Sequence, residues 1–136
     1  MSIVTISEEL KAAPDYLFNN ATVPQNTSLA GNETQVGGTQ AELEIVAVVG
    51  DTDIDLADTK VLTLKVQGAS AVGGSYADVQ QLYTVTASGA TTVAAGTELG
   101  RYVWKPSDPM FAKPVITTDD AAATGTVDVY IRRVCR

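Results

Sequence analysis

Four aspartates lie at short spacing in one segment of the chain, and closely spaced carboxylates are typical ligands of Ca²⁺. They are Asp51, Asp53, Asp55 and Asp58. An EF-hand loop starting at the first of them requires glycine at its sixth position and glutamate at its twelfth, where this chain has Leu56 and Leu62. The EF-hand pattern therefore fails. The spacing favours a short strand with Ile54 and Leu56 inward and carboxylates in solvent, over adventitious Ca²⁺ binding.

The chain has few of the groups that enzymes use for catalysis. It contains no histidine, the commonest general base and metal ligand, and it has a single cysteine, Cys135. No Gly-x-Ser-x-Gly motif is present to activate a serine. Asp119 and Asp120 are adjacent, so on a strand their carboxylates would point to opposite faces. The sequence predicts no enzyme activity, no cofactor and no metal site.

Charge is distributed unevenly along the sequence. Residues 1–58 contain ten acidic residues and one base, Lys11, whereas residues 59–136 contain six acidic and eight basic residues. The asymmetry indicates either a solvated acidic surface or a molecule that meets a basic partner with one end. No basic stripe predicts nucleic-acid binding. The segment Ile45–Gly50 is too short to span a bilayer, and Met1–Leu10 lacks a signal-peptide pattern, so we expect synthesis in the cytoplasm.

Alternating apolar residues predict several strands. The segments 41–49, 60–66, 79–87, 97–105 and 127–132 alternate with period two, and Gly- or Pro-containing segments separate them. The predicted core residues share one phase within each strand: Leu43, Ile45, Leu62, Leu64, Val66, Val127, Val129 and Ile131. Seven or eight strands with at most one short helix predict an all-β fold, a jelly-roll-like antiparallel β-sandwich over residues 41–136.

The first 40 residues do not follow the strand pattern, and they predict an extended N-terminal arm. Residues 19–40 are rich in Asn, Thr, Gly and Gln, and Pro14 limits any helix that starts at Ser7. Apolar residues before this polar segment either anchor the arm on its own domain or bind a partner. We take them as the partner-binding set: Ile3, Val4, Ile6, Leu10, Tyr16, Leu17 and Phe18.

The most aromatic part of the chain lies near residues 102–111. Its large side chains are Tyr102, Trp104, Met110 and Phe111. Such residues occur in sandwich cores, in subunit interfaces and in platforms that stack on sugars. We take them as candidates for an oligomer interface, with the core and the sugar platform as alternatives.

The chain from Lys60 onward resembles the small jelly-roll cement, or decoration, proteins of tailed-bacteriophage capsids. The resemblance covers about residues 41–135 and consists of strand pattern and turn residues. Its segments are Val61–Gln67, Gly68–Tyr76 with its Gly-Gly-Ser, Ala95–Tyr102 with its Gly-Thr-Glu-Leu turn, Val115–Asp120, and Ala123–Tyr130 with its Ala-Thr-Gly turn.

The resemblance implies a non-catalytic virion protein on the outer capsid surface. Such a protein binds the major capsid protein, bridges neighbouring shell subunits and stabilises the shell. The resemblance also implies a homo-oligomer, with a trimer favoured over a dimer. The alternative is a carbohydrate-binding jelly-roll module that uses Trp104.

Overall fold

The computed structural model describes residues 15–37 and 42–133, and within them every regular element is a β-strand. The strands are Asp15–Thr22 (β1), Thr27–Ala30 (β2), Thr34–Gln35 (β3), Leu43–Val49 (β4), Ile54–Leu56 (β5), Val61–Ala69 (β6), Ala77–Thr86 (β7), Thr91–Val93 (β8), Glu98–Val103 (β9), Phe111–Thr118 (β10) and Thr126–Arg133 (β11). The prediction of an all-β antiparallel sandwich is confirmed.

The strands form two main sheets in jelly-roll order. Sheet A has the order β1-β11-β4-β9, and sheet B has the order β2-β10-β6-β7, with β3 also paired to β10. All pairings are antiparallel. Each sheet draws its strands alternately from the two halves of the chain, as two interlocked Greek keys require. A small ribbon of β5 and β8 joins the connections β4–β6 and β7–β9.

The core lies between the two sheets, in the predicted phase. Seven of the eight predicted core residues are buried, and Leu43 is partly buried at the end of β4. Lys65 and Asp128, which lie on the opposite phase, are only half-buried. The alternation therefore identified the inward faces of β4, β6 and β11 correctly.

The expected N-terminal arm differs from the structure over residues 15–37. β1 pairs with β11, and β2 and β3 pair with β10. Without these strands the central strands β11 and β10 would each lose a neighbour. The apolar pattern does not predict β2 and β3, because they are short edge strands. All four residues of β2 are exposed. Residues 1–14, including the predicted strand at Ser2–Ile6, lie outside the described residues.

Two smaller differences concern loops. The segment 88–96, expected as a loop, contains the three-residue strand β8, and β6 continues to Ala69, two residues beyond the expected start of the next loop. The predicted short strand with Ile54 and Leu56 inward is confirmed as β5, where both are buried. Alternation of apolar residues does not predict β8, because Ser, Gly, Ala and Thr surround its single valine.

The edge strand β7 is irregular. Its pairing with β6 shifts register between Leu64 and Lys65 and again between Val66 and Gln67. The extra residues on β7 at these two bulges are Leu82 and Val79, and both pack partly against the core. Bulges bend an edge strand and interrupt the row of free backbone groups that another strand would pair with.

Leu17→Ala should lower the free energy of unfolding by about 2–5 kcal/mol, because Leu17 is 1% exposed within the core. Tyr16→Ala is the matched control, since Tyr16 is 36% exposed on the neighbouring position. Urea unfolding followed by circular dichroism measures both. Equal losses for the two variants would show that β1 does not pack as described.

A truncated variant that begins at Thr39 should fail to fold. It lacks β1, β2 and β3, so β11 and β10 lose the neighbours on one side together with the core residues Leu17, Phe18 and Val23. A cooperative thermal unfolding transition in this variant would contradict the jelly-roll order given above.

Candidate docking surface

The sandwich has two chemically different ends. The end that we call the aspartate end comprises the segments 22–27, 48–62, 85–98 and 118–128. The end that we call the entry end comprises the start of β1 and the segments 31–37, 42–44, 69–78, 103–113 and 132–133. The strands β1 and β11 start or finish at the entry end, so residues 1–14 join the described structure there.

At the aspartate end, carboxylates hold the loops together. Four aspartates accept hydrogen bonds from backbone N–H groups far away in sequence: Asp53 from Ala95 (2.7 Å), Asp58 from Gly89 (2.7 Å), Asp119 from Val61 (2.8 Å) and Asp120 from Ala57 (2.8 Å). On two paired strands, Asp128 of β11 accepts the N–H of Asn20 in the irregular part of β1 (2.5 Å). These bonds satisfy amides that strand pairing leaves free. The four clustered aspartates of residues 51–58 are exposed, as predicted, and two of them, Asp53 and Asp58, also connect loops.

Asp120 is the most enclosed of these aspartates, at 3% exposed. Its two carboxylate oxygens accept the N–H groups of Ala57 and Ala122, both at 2.8 Å. The hydrogen bond from the Ala57 amide is the largest effect that lowers the pKa of Asp120 below its ordinary value, and the bond from the Ala122 amide is the next. Burial acts in the opposite direction and raises this pKa. Among residues 15–37 and 42–133 no group of three acidic, cysteine or histidine side chains is placed to hold a metal ion.

The entry end carries most of the exposed apolar side chains. Of the five large hydrophobic residues that are substantially exposed among the described residues, four lie here: Tyr16, Val72, Val103 and Met110. The fifth, Leu29, lies on the edge strand β2. Scattered exposed apolar residues are ordinary, but their concentration at one end is typical of an interaction surface.

The segment 103–110 of the entry end is built on two aromatic residues. Trp104 is buried, its indole N–H donates to the Pro109 carbonyl (2.9 Å), and its ring meets Tyr102 edge-on at 5.9 Å. The Tyr102 hydroxyl donates to Asp108 (2.7 Å), which also accepts the Lys105 N–H (2.7 Å). Burial, as the larger cause, and the hydrogen bond to Asp108 together raise the pKa of Tyr102 to about 12.

The predicted interface residues therefore have different positions. Trp104 belongs to the core, Tyr102 and Phe111 are half-buried, and Met110 is 37% exposed beside Gly37. Met110 is the most exposed of the four, and Phe111 lies half-buried on the outer phase of β10 with Lys113. Tyr102 and Trp104 pack against the core, so the structure gives these two first a role in positioning this loop.

The residues of the predicted partner-binding set also differ in their positions. Leu17 and Phe18 lie in the core, because a register shift in β1 brings both of these consecutive side chains inward. Tyr16 points outward and meets Tyr130 edge-on at 5.9 Å. The remaining members, Ile3, Val4, Ile6 and Leu10, lie outside the described residues.

On the outer face of sheet A, side chains of neighbouring strands cover the apolar residue Val46. Val46 on this face is 1% exposed, and its cross-strand neighbours are Tyr130 on β11 and Arg101 on β9. Glu44 is buried beside it and accepts from Arg132 at 2.8 Å and from Arg101 at 3.3 Å. Long side chains with polar tips thus cover this apolar position without a partner.

The outer face of sheet B carries a row of hydroxyl groups. The row crosses all four strands at one register, through Ser28, Thr117, Thr63 and Thr84. Ser28 and Thr117 lie 2.8 Å apart, and Thr63 and Thr84 lie 3.2 Å apart, each pair within hydrogen-bonding distance.

The charge asymmetry of the sequence becomes an asymmetry between the two ends. The segments of the aspartate end contain eight acidic residues and one basic residue, a net charge of −7. The segments of the entry end, with Asp15 included, contain six acidic and four basic residues, a net charge of −2. The entry end thus has more exposed apolar residues than the aspartate end and a smaller net charge.

Comparisons with known proteins identify no relative. No protein-family model matches the chain, and no curated protein matches it significantly. Among solved structures the chain is similar to one titled "Crystal structure of PirA", with a TM-score of 0.34 and 16% identity, over 85% of this chain and 94% of that chain. Values this low define neither fold nor function. No helix in the described ranges is long and apolar enough to cross a membrane.

The aspartate end should make stability fall at acid pH. Asp120 and Asp51 both have a lowered pKa, so their contribution is complete above about pH 5 and disappears as the pH falls below the ordinary value of 3.8. Asp120→Asn should lower stability at neutral pH and make its decline between about pH 5 and pH 2 shallower.

Ala121→Asn is the matched control for that measurement, because it adds the same side chain at the exposed neighbouring position and keeps the carboxylate. Thermal unfolding at a series of pH values gives both curves. Parallel curves for Asp120→Asn and the control would show that Asp120 does not contribute to the acid response.

Proposed function

We propose that the chain is a capsid decoration protein, which binds the outer surface of a tailed-bacteriophage head and stabilises the shell by bridging major capsid subunits. The observation that carries the proposal is the jelly-roll strand order, in a chain whose turns resemble those of decoration proteins. In this function the protein has no catalytic role. Its sites are contact surfaces.

The turn residues that carry the resemblance have structural reasons in this chain. Gly96 has φ +83°, and its N–H donates to the Val49 carbonyl at 3.0 Å. Gly125 has φ +119°, and a Cβ there would lie 2.6 Å from the Asp53 carbonyl oxygen. Both positions favour glycine. The Gly-Thr-Glu-Leu and Ala-Thr-Gly segments thus connect the strands of the jelly roll, which supports the resemblance as one of fold.

The polarity of the molecule supports an orientation on the shell. The entry end combines exposed apolar residues with a small net charge, and residues 1–14 join the sandwich there. We infer that this end faces the capsid and that Ile3, Val4, Ile6 and Leu10 contact it. The aspartate end then faces solvent, where its net charge of −7 costs least.

The alternative, a carbohydrate-binding module, is less favoured by the geometry. A sugar platform needs an exposed aromatic face, whereas Trp104 is 6% exposed and Tyr102 meets it edge-on. Glycan binding that is abolished by Trp104→Ala while the fold persists would restore this alternative.

The proposal includes a homo-oligomer, with a trimer favoured over a dimer. Only the resemblance supports this part of the proposal. Within one chain, Val46 is covered by neighbouring side chains and Trp104 lies in the core, so neither apolar residue needs a partner to cover it. Light scattering of the protein alone and of the protein eluted from heads tests the oligomer in both states.

Sedimentation with phage heads tests the proposed function. The purified protein should bind expanded heads that lack it, saturably, and should raise the temperature at which those heads break. Heads already saturated with the protein are the control and should take up no more. Absence of co-sedimentation at micromolar protein would contradict the proposal.

A variant lacking residues 1–14 should keep the β-sandwich and bind heads at least about tenfold more weakly. Burial of even one or two large apolar side chains accounts for such a loss, at roughly 1.5–3 kcal/mol each. Circular dichroism and thermal unfolding check the fold, and sedimentation checks the affinity. Full affinity in this variant would place the contact on the sandwich itself.

A further inference from the structure

Three edge strands of the two main sheets are blocked against further pairing. β7 carries two bulges. β9 lies against β7, where the Leu82 carbonyl approaches Gly100. At the free side of β1, the Asn32 backbone N–H donates to the Leu17 carbonyl at 2.9 Å, and its side-chain amide donates to the Tyr16 carbonyl at 3.4 Å. Bulges and occupied backbone groups prevent a further strand from adding.

The edge strand β2 has none of these features. Its register with β10 runs without a shift from Thr27 to Ala30, and all its residues are exposed. β2 contains neither a charged residue nor a proline, the residues that usually protect an edge, and residues 16–32 as a whole are uncharged. Within residues 15–37 and 42–133, no strand pairs with the outer side of β2. In this part of the chain, β2 is therefore an open edge.

The backbone groups of β2 alternate in direction. The Gly31 N–H donates to the Pro114 carbonyl of β10 at 2.9 Å. Because successive residues of a strand point their N–H and C=O groups to opposite sides, Leu29 also directs its groups to β10. Ser28 and Ala30 direct theirs to the outer side. Each of these two residues thus presents one N–H donor and one C=O acceptor to solvent.

Leu29 gives the same edge an apolar side chain. It lies opposite Ile116 of β10, on the inward phase of sheet B, where Ile116 is fully buried. Leu29 is nevertheless 37% exposed, because no strand lies beyond it. A further strand beside β2 would cover this side chain and extend the apolar layer by one position.

A second copy of the same strand fits this edge. In an antiparallel pair about a two-fold axis at Leu29, Ser28 of each copy lies opposite Ala30 of the other, and each such pair exchanges two hydrogen bonds. The two Leu29 side chains then form a non-hydrogen-bonded pair, in which cross-strand side chains are closest. The contact brings no like charges opposite each other, although each chain has a net charge of −7.

The ends of β2 disfavour the neighbouring registers. With Ser28 opposite its own copy, the next pairs need Asn26, whose φ of +52° turns it out of the strand. With Ala30 opposite its own copy, the next pairs need the N–H of Asn32, which already donates to the Leu17 carbonyl. The register centred on Leu29 is therefore the one in which every outward group of β2 has a partner.

We propose that β2 is a self-association edge, through which two copies of this chain join their B sheets into one continuous antiparallel sheet. An unrelated strand would supply the backbone bonds as well. The two-fold axis supplies in addition a leucine opposite Leu29 and an uncharged neighbour of equal length. This inference goes beyond the proposed function, because the contact needs no capsid, and it is distinct from the trimer that the resemblance implies.

Cysteine crosslinking at Leu29 tests the pairing in solution. Leu29→Cys, combined with Cys135→Ser to remove the native thiol, places two thiols on Cα atoms about 4.5 Å apart, which is within disulfide range. Val103→Cys with Cys135→Ser is the matched control, since Val103 is also 37% exposed. With a mild thiol oxidant the Leu29 variant should form dimers at least about tenfold faster than the control, because pairing raises the effective thiol concentration. Equal rates on non-reducing gels would overturn the inference.

Ala30→Pro tests the backbone bonds separately. It removes the outward N–H, and proline is tolerated at an edge where the N–H faces solvent, so the circular dichroism spectrum should stay unchanged. Ala30→Val keeps the N–H and is the matched control. A short edge makes a small, weak interface, so sedimentation equilibrium at high protein concentration compares the two. Ala30→Pro should have an association constant at least about tenfold lower than Ala30→Val. Equal constants would contradict pairing through β2.

Two further results would assign the edge to another occupant. If Leu29→Cys crosslinks only in a variant that lacks residues 1–14, that segment of the same chain occupies β2 and the inference is overturned. If Leu29→Cys crosslinks no faster than its control while Ala30→Pro weakens binding to phage heads, the shell subunit occupies β2 and the inference is likewise overturned. Failure of the wild type to bind heads contradicts the proposed function alone, since the crosslinking experiment contains no heads.

Discussion

Hydrogen bonds from loop amides to aspartate carboxylates are the interaction on which the sandwich depends. A jelly roll passes its chain repeatedly from one sheet to the other, and each crossing leaves backbone amides without a strand partner. At the aspartate end, Asp53, Asp58, Asp119 and Asp120 accept those amides from connections far away in sequence. Acidic residues from both halves of the chain thus join its connections.

The same arrangement separates the two ends in chemistry. The carboxylates that accept loop amides are concentrated at the aspartate end, so the loops that they join form an acidic surface with no large exposed apolar residue among those described. The entry end uses different means: buried Trp104 and the Glu33 carboxylate hold loops that leave Val72 and Met110 in solvent. One end is closed by polar bonds, and the other presents apolar side chains on fixed backbone.

Much of the fold could be predicted from alternation, and the errors have clear physical causes. β4, β6 and β11 are central strands with one buried phase, so their core residues were predicted correctly. β2 and β3 lie at an edge and need few apolar residues, so the Asn- and Thr-rich segment 19–40 that contains them looked like a linker. Trp104 looked like a surface aromatic because its partner Pro109 lies within the same loop, which no strand period reveals.

The candidate site was less predictable than the fold. Leu17 and Phe18 are adjacent, and only a bulge in β1 turns both inward, a feature without a sequence signal here. The bonds from Gly73 and Tyr76 to Glu33 join residues about 40 positions apart, so their pairing could not be inferred from spacing.

The two bulges of β7 have a consequence for behaviour at high concentration. A regular ten-residue edge strand would offer a template along which identical molecules add strand to strand into open-ended fibres. In β7 the displaced residues Val79 and Leu82 break that template, and the carbonyl of Leu82 lies against Gly100 of β9. The β7 edge is thereby blocked as a site where the strand of another copy could add.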